Sequence, residues 1–487
     1  MGVFLFLLLY HDKFLHYDNF SHWAIVVKVM LVENRFPNFL DTNILFKSYP
    51  PGSAAFIYYI IKAAGIGPEW LQMYAQAVFM AGMAACLFAF AGKQAMGILA
   101  AAILSVMLLA GNTSFYDLLV DTQLPLTALA GLAFCVYYRE PPAETDGDGL
   151  KGRAWYIAVF TTFLVAIKNS GVLFVCILLF YIRLCHGRRV KEALKELSVP
   201  FVCPVTALIL WKKHVSLVFE GGLSAKHSMS IRNFRAVFGE KSTDDLKVIA
   251  QAVMDHVFTL SNPALYILLF LILLLVLQGR TEKTDRGDKR LAFTAFAFYL
   301  LYQLGILGMY LFSMPLGEAL TLAEYDRYNR TILIFIAGVA AILTLGAARR
   351  WEGLGRRGYG TAVLVLCIVG SWHTLKPKWT YYKKQEMDQT RLTYDALIRD
   401  YHIPSGSSYM ILTTGSTGYL HFISRYLLLP KHVMVCDCRR AEALKQVEEE
   451  WRNFDYLILY GASDEFALWA GEMFGEEGPV IELSLYK

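Results

Sequence analysis

The sequence predicts a membrane all-α polytopic bundle over residues 1–375, followed by a small α/β domain over 376–487 that lies outside the membrane. Three observations carry this expectation. Of 487 residues, 56% are hydrophobic and only 18% charged, against roughly half and a quarter in soluble proteins. The excess is blocked, with apolar runs at 70–91, 95–111, 117–138, 198–210, 263–279, 291–312, 331–347 and 359–372. A crossing helix needs about 20 apolar residues, at least about 17, and a soluble helical protein could imitate one such run but hardly eight. After Lys376 the blocks stop, and short strand-like and helix-like patterns alternate.

The polar breaks set the topology. Positive charge collects in cytoplasmic loops, and four breaks are strongly basic: Arg139 with Lys151 and Arg153; Arg183, Arg188, Arg189, Lys191 and Lys195; Arg280, Lys283, Arg286, Lys289 and Arg290; Arg349, Arg350, Arg356 and Arg357. With these inside, residues 154–184 must go out and back, turning at Lys168-Asn169-Ser170-Gly171. Each arm has about 15 residues, so the hairpin is thin or tilted. Segments 11–69, 220–261, 313–330 and everything beyond about 375 fall outside. The apolar stretch Gly52–Ile66 then suits an interfacial or re-entrant helix on the outer face. Met1–Tyr10 reads as the end of a first crossing whose start is missing, or as a signal-like segment without a small-residue cleavage site. The total is about eleven crossings of the cell membrane, N-terminus cytoplasmic and C-terminal domain extracytoplasmic. The net charge of +5 reports this topology. No Lys/Arg patch interleaves with exposed aromatics, so no nucleic-acid partner is expected.

In the C-terminal part, 384–401 reads as an amphipathic helix, Tyr409–Thr413, Tyr426–Leu429 and His432–Val435 as strands, 440–453 as a charged helix, Tyr456–Tyr460 as a strand, 463–474 as a helix and Val480–Leu485 as a strand. Gly415-Ser-Thr-Gly418 is too short to be a phosphate loop. Cys436 and Cys438 form a lone CxC, weak as a metal motif.

The candidate site residues gather outside. The first outer loop reads His16-Tyr-Asp-Asn-Phe-Ser-His-Trp23, then an amphipathic stretch to Phe36, then Lys47-Ser-Tyr-Pro-Pro-Gly52. Asp18 just beyond a first crossing would face both a lipid-borne substrate and water; its alternative is a solvated loop aspartate. His22 lies one helical turn on, and Tyr17 and Trp23 are interfacial anchors. Asp117 and Asp121, four apart at the start of the 117–138 run, would share a helix face. They could take a divalent metal or be hydrated helix-start acids. Lys168, at the hairpin tip, is an ionisable group within membrane depth or one that snorkels to the surface. The loop 220–261 holds Lys226-His227-Ser228, and 313–330 ends in Glu324-Tyr-Asp-Arg-Tyr-Asn-Arg330. Arg327 and Arg330 oppose the inside bias, which an anionic lipid carrier or pairing with Glu324 or Asp326 would explain.

A first-loop Asp with aromatic, His and Trp neighbours, a juxtamembrane helix and a Tyr-Pro-Pro opening the next helix resemble the GT-C superfamily of polytopic glycosyltransferases. So does the layout of about a dozen spans with a soluble outer C-terminal domain. The resemblance implies a sugar transfer from a polyprenyl-phosphate-linked donor to a glycan, lipid or protein acceptor at the outer face. It implies Asp18 as catalytic base and Tyr49-Pro50-Pro51 as the family's Tyr-Pro-Pro element. The sequence looks like a bacterial cell-surface polysaccharide or wall-polymer member. It has no WWD-like motif, which argues against an oligosaccharyltransferase. Family members often carry a basic residue near the late outer loop, which points Arg327 at the donor phosphate. His22, Tyr49, Asp121, Lys168 and His227 complete the expected substrate-binding set, with membrane lipid as surroundings. No cofactor is certain; a divalent metal ion at Asp117 and Asp121 stays open. The alternative function is a transporter or flippase of a lipid-linked sugar, but mid-membrane polar residues and repeated halves are not found.

Overall fold

The computed structural model describes the chain except for residues 42–43, 139–146, 220–230, 282–284, 354, 378–388, 402–406, 415–416, 430–432, 440–441 and 476–477. Most of the described chain is helical.

The N-terminal segment holds α1 (Gly2–Leu9), a π-helical turn (Asn19–Trp23), α2 (Ala24–Glu33) and α3 (Gly52–Ala64). The bundle follows with α4 (Glu69–Ala84, continued by a tighter turn to Phe90), α5 (Ala95–Leu109), α6 (Gln123–Tyr137), α7 (Gly147–Ile167), α8 (Gly171–His186) and α9 (Val190–Val218). It is completed by α10 (Ile231–Gly239), α11 (Thr243–Phe258), α12 (Pro263–Thr281), α13 (Arg286–Phe312), α14 (Leu316–Leu320), α15 (Tyr325–Gly353) and α16 (Arg357–Leu375). Among the described residues, six helices are long and apolar enough to cross a membrane: 69–90, α9, 263–280, α13, 325–352 and α16; five shorter apolar helices accompany them. The chain is therefore a membrane protein. The apolar window of α15 is 94% buried and that of α9 only 22%, so α15 is the central pillar and α9 leaves most of its apolar surface for lipid.

Prolines and buried hydroxyls show how the bundle is tied. Pro204 within α9 has no N–H to give the carbonyl four residues back, and the Thr161 hydroxyl of α7 donates to that Pro200 oxygen at 2.9 Å. This fixes α7, whose C-terminal end leads into Lys168, against α9.

One apolar run does not become a helix along its whole length. Residues 117–122 lie in an irregular, buried loop, and α6 begins only at Gln123, with Pro125 in its first turn where a missing N–H is no loss. Asp117 and Asp121 therefore do not share a helix face, contrary to the sequence expectation. Buried non-helical backbone needs partners, and side chains supply them. Asn19 Oδ1 accepts from Leu118 N at 2.9 Å, Gln76 Nε2 donates to Leu119 O at 3.1 Å, and Thr113 and Thr122 hydroxyls meet at 2.8 Å.

The C-terminal part contains α17 (Gln389–Asp400), β1 (Tyr409–Thr413), α18 (Thr417–Leu427), β2 (Val433–Asp437), α19 (Ala443–Glu450), β3 (Tyr456–Leu459), α20 (Asp464–Phe474) and β4 (Val480–Glu482). The sheet order is β2-β1-β3-β4, parallel except for β4, with Tyr409 opposite Val433 and Tyr456, and Tyr456 opposite Glu482. The strand expected at Tyr426–Leu429 is instead the end of α18 and the turn after it. Leu420, Ile423 and Tyr426 are buried three apart on one helix face, and a short run such as Tyr-Leu-Leu-Leu reads equally well either way. Successive strand residues face opposite sides. Met410 and Leu412 pack with Trp451, Phe466 and Ile481, while Tyr409 and Ile411 join Leu420, Ile423 and the membrane bundle's core.

That second face anchors the C-terminal part to the first loop. Glu69 at the start of α4 accepts from Phe14 N at 2.8 Å, Arg391 Nη2 at 2.7 Å and Tyr426 Oη at 3.1 Å. Lys13 Nζ lies 2.7 Å from Asp395 Oδ2.

Candidate functional site

Four segments far apart in sequence converge beside the first loop. The first is the π-helical turn Asn19–Trp23, with Asp18 immediately before it. Such turns expose a backbone that an α-helix would close, and they gather at functional sites. Asn19, fully buried, ties the turn to the 110–122 loop through Leu118. The second segment is that loop, carrying Asp117 and Asp121.

The third is the 168–170 turn between α7 and α8. A Cβ on Gly171 would lie 1.9 Å from the Leu164 carbonyl oxygen, so only glycine lets the chain turn this tightly and hold Lys168 at the tip. At the start of α3, a Cβ on Gly52 would lie 2.6 Å from Ala166. That close approach packs Tyr49-Pro50-Pro51 against the same end of α7.

The fourth segment is the first turn of α15, with Arg327 and Tyr328. Before it, Leu322 and Glu324 have φ of 46° and 62°. Left-handed conformations are strained for residues with a side chain and cluster at functional sites.

The polar groups form one chain. Arg327 Nη1 donates to Asp18 Oδ2 at 2.9 Å; its Nε lies 3.5 Å from Glu324 Oε2 and 3.7 Å from Asp121 Oδ2. Lys168 Nζ donates to Asp121 Oδ1 at 3.2 Å. Arg327 and Lys168 both stand over the Tyr328 ring, at 5.5 and 5.8 Å from its centre. Asp121 is only 4% exposed. Burial alone would raise its carboxyl, but Lys168 and Arg327 outweigh burial and hold it below the ordinary carboxylate value. Burial would likewise lower Lys168, and Asp121 above all holds it above the ordinary lysine value. Each therefore stays charged through the other. Among the described residues Asp117 pairs with no cation, and it accepts from Leu119 N at 3.0 Å. Burial, reinforced by the Asp121 and Asp18 charges, pushes its carboxyl up to about 8.

These carboxylates do not fit a divalent metal. Both Asp121 oxygens face cations, and no group of three or more metal-ligating side chains occurs among the described residues.

Two cavities meet at this chain. One, of about 510 Å³, is mainly apolar: Val172, Leu173, Ile306, Met309 and Phe312 form its walls, and Asp121, Lys168, Asn169, Tyr49, Tyr302, Tyr328 and Thr331 its polar end. The other, of about 440 Å³, is polar and lined by His256, Thr321, Glu324, Asp326 and Arg327.

Of the residues expected from the sequence, Asp18, Asp121, Lys168 and Arg327 are brought into contact, and Tyr49 lines the apolar cavity with Lys168. His22 does not line it. It is 4% exposed in an aromatic cluster, its ring 5.1 Å from Tyr49 and 4.7 Å from Trp23. Burial, with Lys168 nearby, pushes it down to about 3, so it is a neutral support behind Tyr49. His227 and Lys226 lie outside the described residues. Arg330 turns away and donates to the Gly111 carbonyl at 3.3 Å. The sequence reading missed Tyr328, which stood within the quoted Glu324–Arg330 string. It also missed Tyr302 and Thr331, which sit in apolar runs and leave no signal.

No protein-family model and no curated protein matches the chain. Among solved structures, an Archaeoglobus fulgidus oligosaccharyltransferase in complex with Zn and sulfate is similar over 94% of this chain and 67% of its own, with a TM-score of 0.52 and 12% identity. ArnT from Cupriavidus metallidurans in the apo state is similar over 97% of this chain and 93% of its own, at 13% identity and a TM-score of 0.44. Its undecaprenyl-phosphate-bound form gives 96%, 93%, 12% and 0.43. At such identities the likeness concerns the fold alone, which this chain shares with the oligosaccharyltransferase.

Proposed function

We propose that this chain is a glycosyltransferase that moves a sugar from a polyprenyl-phosphate carrier to a cell-surface polymer, glycolipid or protein acceptor at the outer membrane face. The observation that carries the reading is the chain Asp18–Arg327–Asp121–Lys168, whose Asp121 and Lys168 line the polar end of an apolar cavity of about 510 Å³. An apolar trough that ends in a lysine, with an arginine facing the same aspartate beside it, suits a lipid tail with a phosphate head. The GT-C fold is in keeping with it. So is the proposed topology, with about eleven crossings, the N-terminus inside, and residues 376–487 as an outer domain after a membrane domain over 1–375.

In this reading the donor phosphate comes to Lys168 and Arg327 and takes over hydrogen bonds that the carboxylates now hold. Asp18, released by Arg327, accepts the proton of the acceptor hydroxyl. The hydroxyl oxygen bonds to the anomeric carbon as that carbon's bond to the phosphate oxygen breaks. The phosphate leaves with the electron pair, and Lys168 and Arg327 stabilise the charge that grows on it. Tyr49 and Tyr328 wall the reacting sugar, and the polar cavity beside Arg327 admits the acceptor. One displacement inverts the anomeric carbon.

The test is the transfer reaction of the reconstituted protein with a polyprenyl-phosphate sugar. An inverted product, and a loss of about 10²–10⁴ in rate for Asp18→Asn, are the expected outcomes. A retained anomer, or full activity in that variant, overturns the base assignment.

A further inference from the structure

A separate cavity lies between the first loop and the C-terminal part and shares no lining residue with the two described above. It has a volume of about 770 Å³ and is walled by α2, α3, the start of α4, residues 11–13, and Arg391 and Tyr426. Lys13, Lys28, Lys62 and Arg391 line it, against the carboxylates Asp12 and Glu69.

Two of the four cations are satisfied internally: Lys13 by Asp395 and Arg391 by Glu69, each at 2.7 Å. Lys28 and Lys62 meet no carboxylate among the described residues. Lys28 Nζ donates to the Tyr426 and Leu427 carbonyl oxygens and stands 4.5 Å from the centre of the Tyr426 ring. An ammonium has three N–H groups, so one remains for a ligand. Burial, partly offset by Glu69, pushes Lys28 down to about 8, a cost that a bound anion would relieve. Lys62, exposed on α3, has only the Tyr58 ring beside it, at 5.3 Å.

The rest of the wall suits an amphiphile. Leu31, Val32 and Ile61 present an apolar strip, and Val32 and nearby Ile66 are exposed. The first turn of α4 opens on the same space through Glu69 and Trp70, and the free amides of a helix start favour an anion.

From this combination we propose that the cavity binds the phosphate head group of an anionic membrane lipid. Lys28 and Lys62 hold the phosphate, and the acyl chains lie along Leu31, Val32 and Ile61. Basic pockets at a membrane surface select anionic lipids in this way. Lys28 is also the cation that holds the end of α18, so an occupied site ties the C-terminal part to the first loop. The proposal stands independently of the transferase reading.

Native mass spectrometry of the full-length protein in detergent, titrated with phosphatidylglycerol or phosphatidylcholine, tests it. The wild type holds at least one phosphatidylglycerol in preference to phosphatidylcholine. Lys62→Glu and Lys28→Gln each weaken that lipid about tenfold, the size expected for one charge-assisted contact. Lys247→Gln, on the exposed face of α11, changes nothing. Because Lys62 is exposed, its reversal leaves the unfolding midpoint unchanged, and loss of lipid in that variant is not loss of fold. Displacement of the lipid by inorganic phosphate would show that the phosphate alone suffices as ligand, and persistence would show that the lipid tails contribute. Equal retention of the two lipids, or unchanged dissociation constants for every bound phosphatidylglycerol in both variants, overturns the proposal.

Discussion

The Arg327 guanidinium donates to Asp18 at 2.9 Å across 309 positions of sequence. It joins the first loop to the head of α15, the most buried of the six long apolar helices. The same guanidinium faces Asp121, which faces Lys168, so a change at Arg327 is felt by two carboxylates.

Arg327→Lys keeps the charge but loses the planar fork that reaches both. Donor affinity, measured by competition with a labelled polyprenyl phosphate, is expected to fall about tenfold in this variant and about a hundredfold in Arg327→Ala.

Lys168→Met leaves Asp121 buried beside Arg327 alone. Breaking one side of a buried pair costs about 3–5 kcal/mol, and the unfolding midpoint should drop accordingly. Asp121→Asn in the Lys168→Met background should recover much of the stability while transfer stays lost. A cycle showing no coupling between the two changes would contradict the pairing.

Asp117 gives a pH signature. Its folded pKa is raised to about 8, so between the unfolded value of about 3.9 and 8 the folded state holds the extra proton. Its stabilising contribution is full below the unfolded value and is lost as pH rises toward 8. Asp117→Asn should flatten the fall of the unfolding midpoint between pH 5 and 8 seen in the wild type, as read by calorimetry in detergent.

Gly171→Ala would set a Cβ 1.9 Å from a backbone oxygen. Overpacking of this kind costs about 1–3 kcal/mol or more, and here it also moves Lys168. Gly82→Ala, with nothing within 4 Å of its added Cβ, should be neutral or slightly stabilising. A large loss of both stability and donor binding in the first variant, and neither in the second, is the expected pattern.

The helices were legible because apolar runs longer than a crossing have few other uses, and α15 and α16 stand close to where composition placed them. The buried loop before α6 was not, because Asp117-Leu-Leu-Val-Asp121 looks like a helix start. What keeps it irregular are the side chains of Asn19 and Gln76 from other segments. The strand expected at Tyr426–Leu429 failed for a related reason: four apolar residues carry no period of their own. At the site, Asp18, Lys168 and Arg327 drew attention because charge beside long apolar runs is rare. Their contact was not, since nothing local in a sequence says that residues 18 and 327 touch. His22 stands behind Tyr49 and not at the cavity wall, because proximity along a helix does not say which side chain faces the cavity.

The central claim is that Asp18 serves bond cleavage at a lipid-linked sugar. The most direct measurement is the release of free polyprenyl phosphate from such a donor by the protein in sealed vesicles with an acceptor present. The account predicts release by the wild type, and almost none by Asp18→Asn, which still binds the donor. Passage of the intact sugar-lipid across the bilayer without release, or release by Asp18→Asn at the wild-type rate, would contradict it.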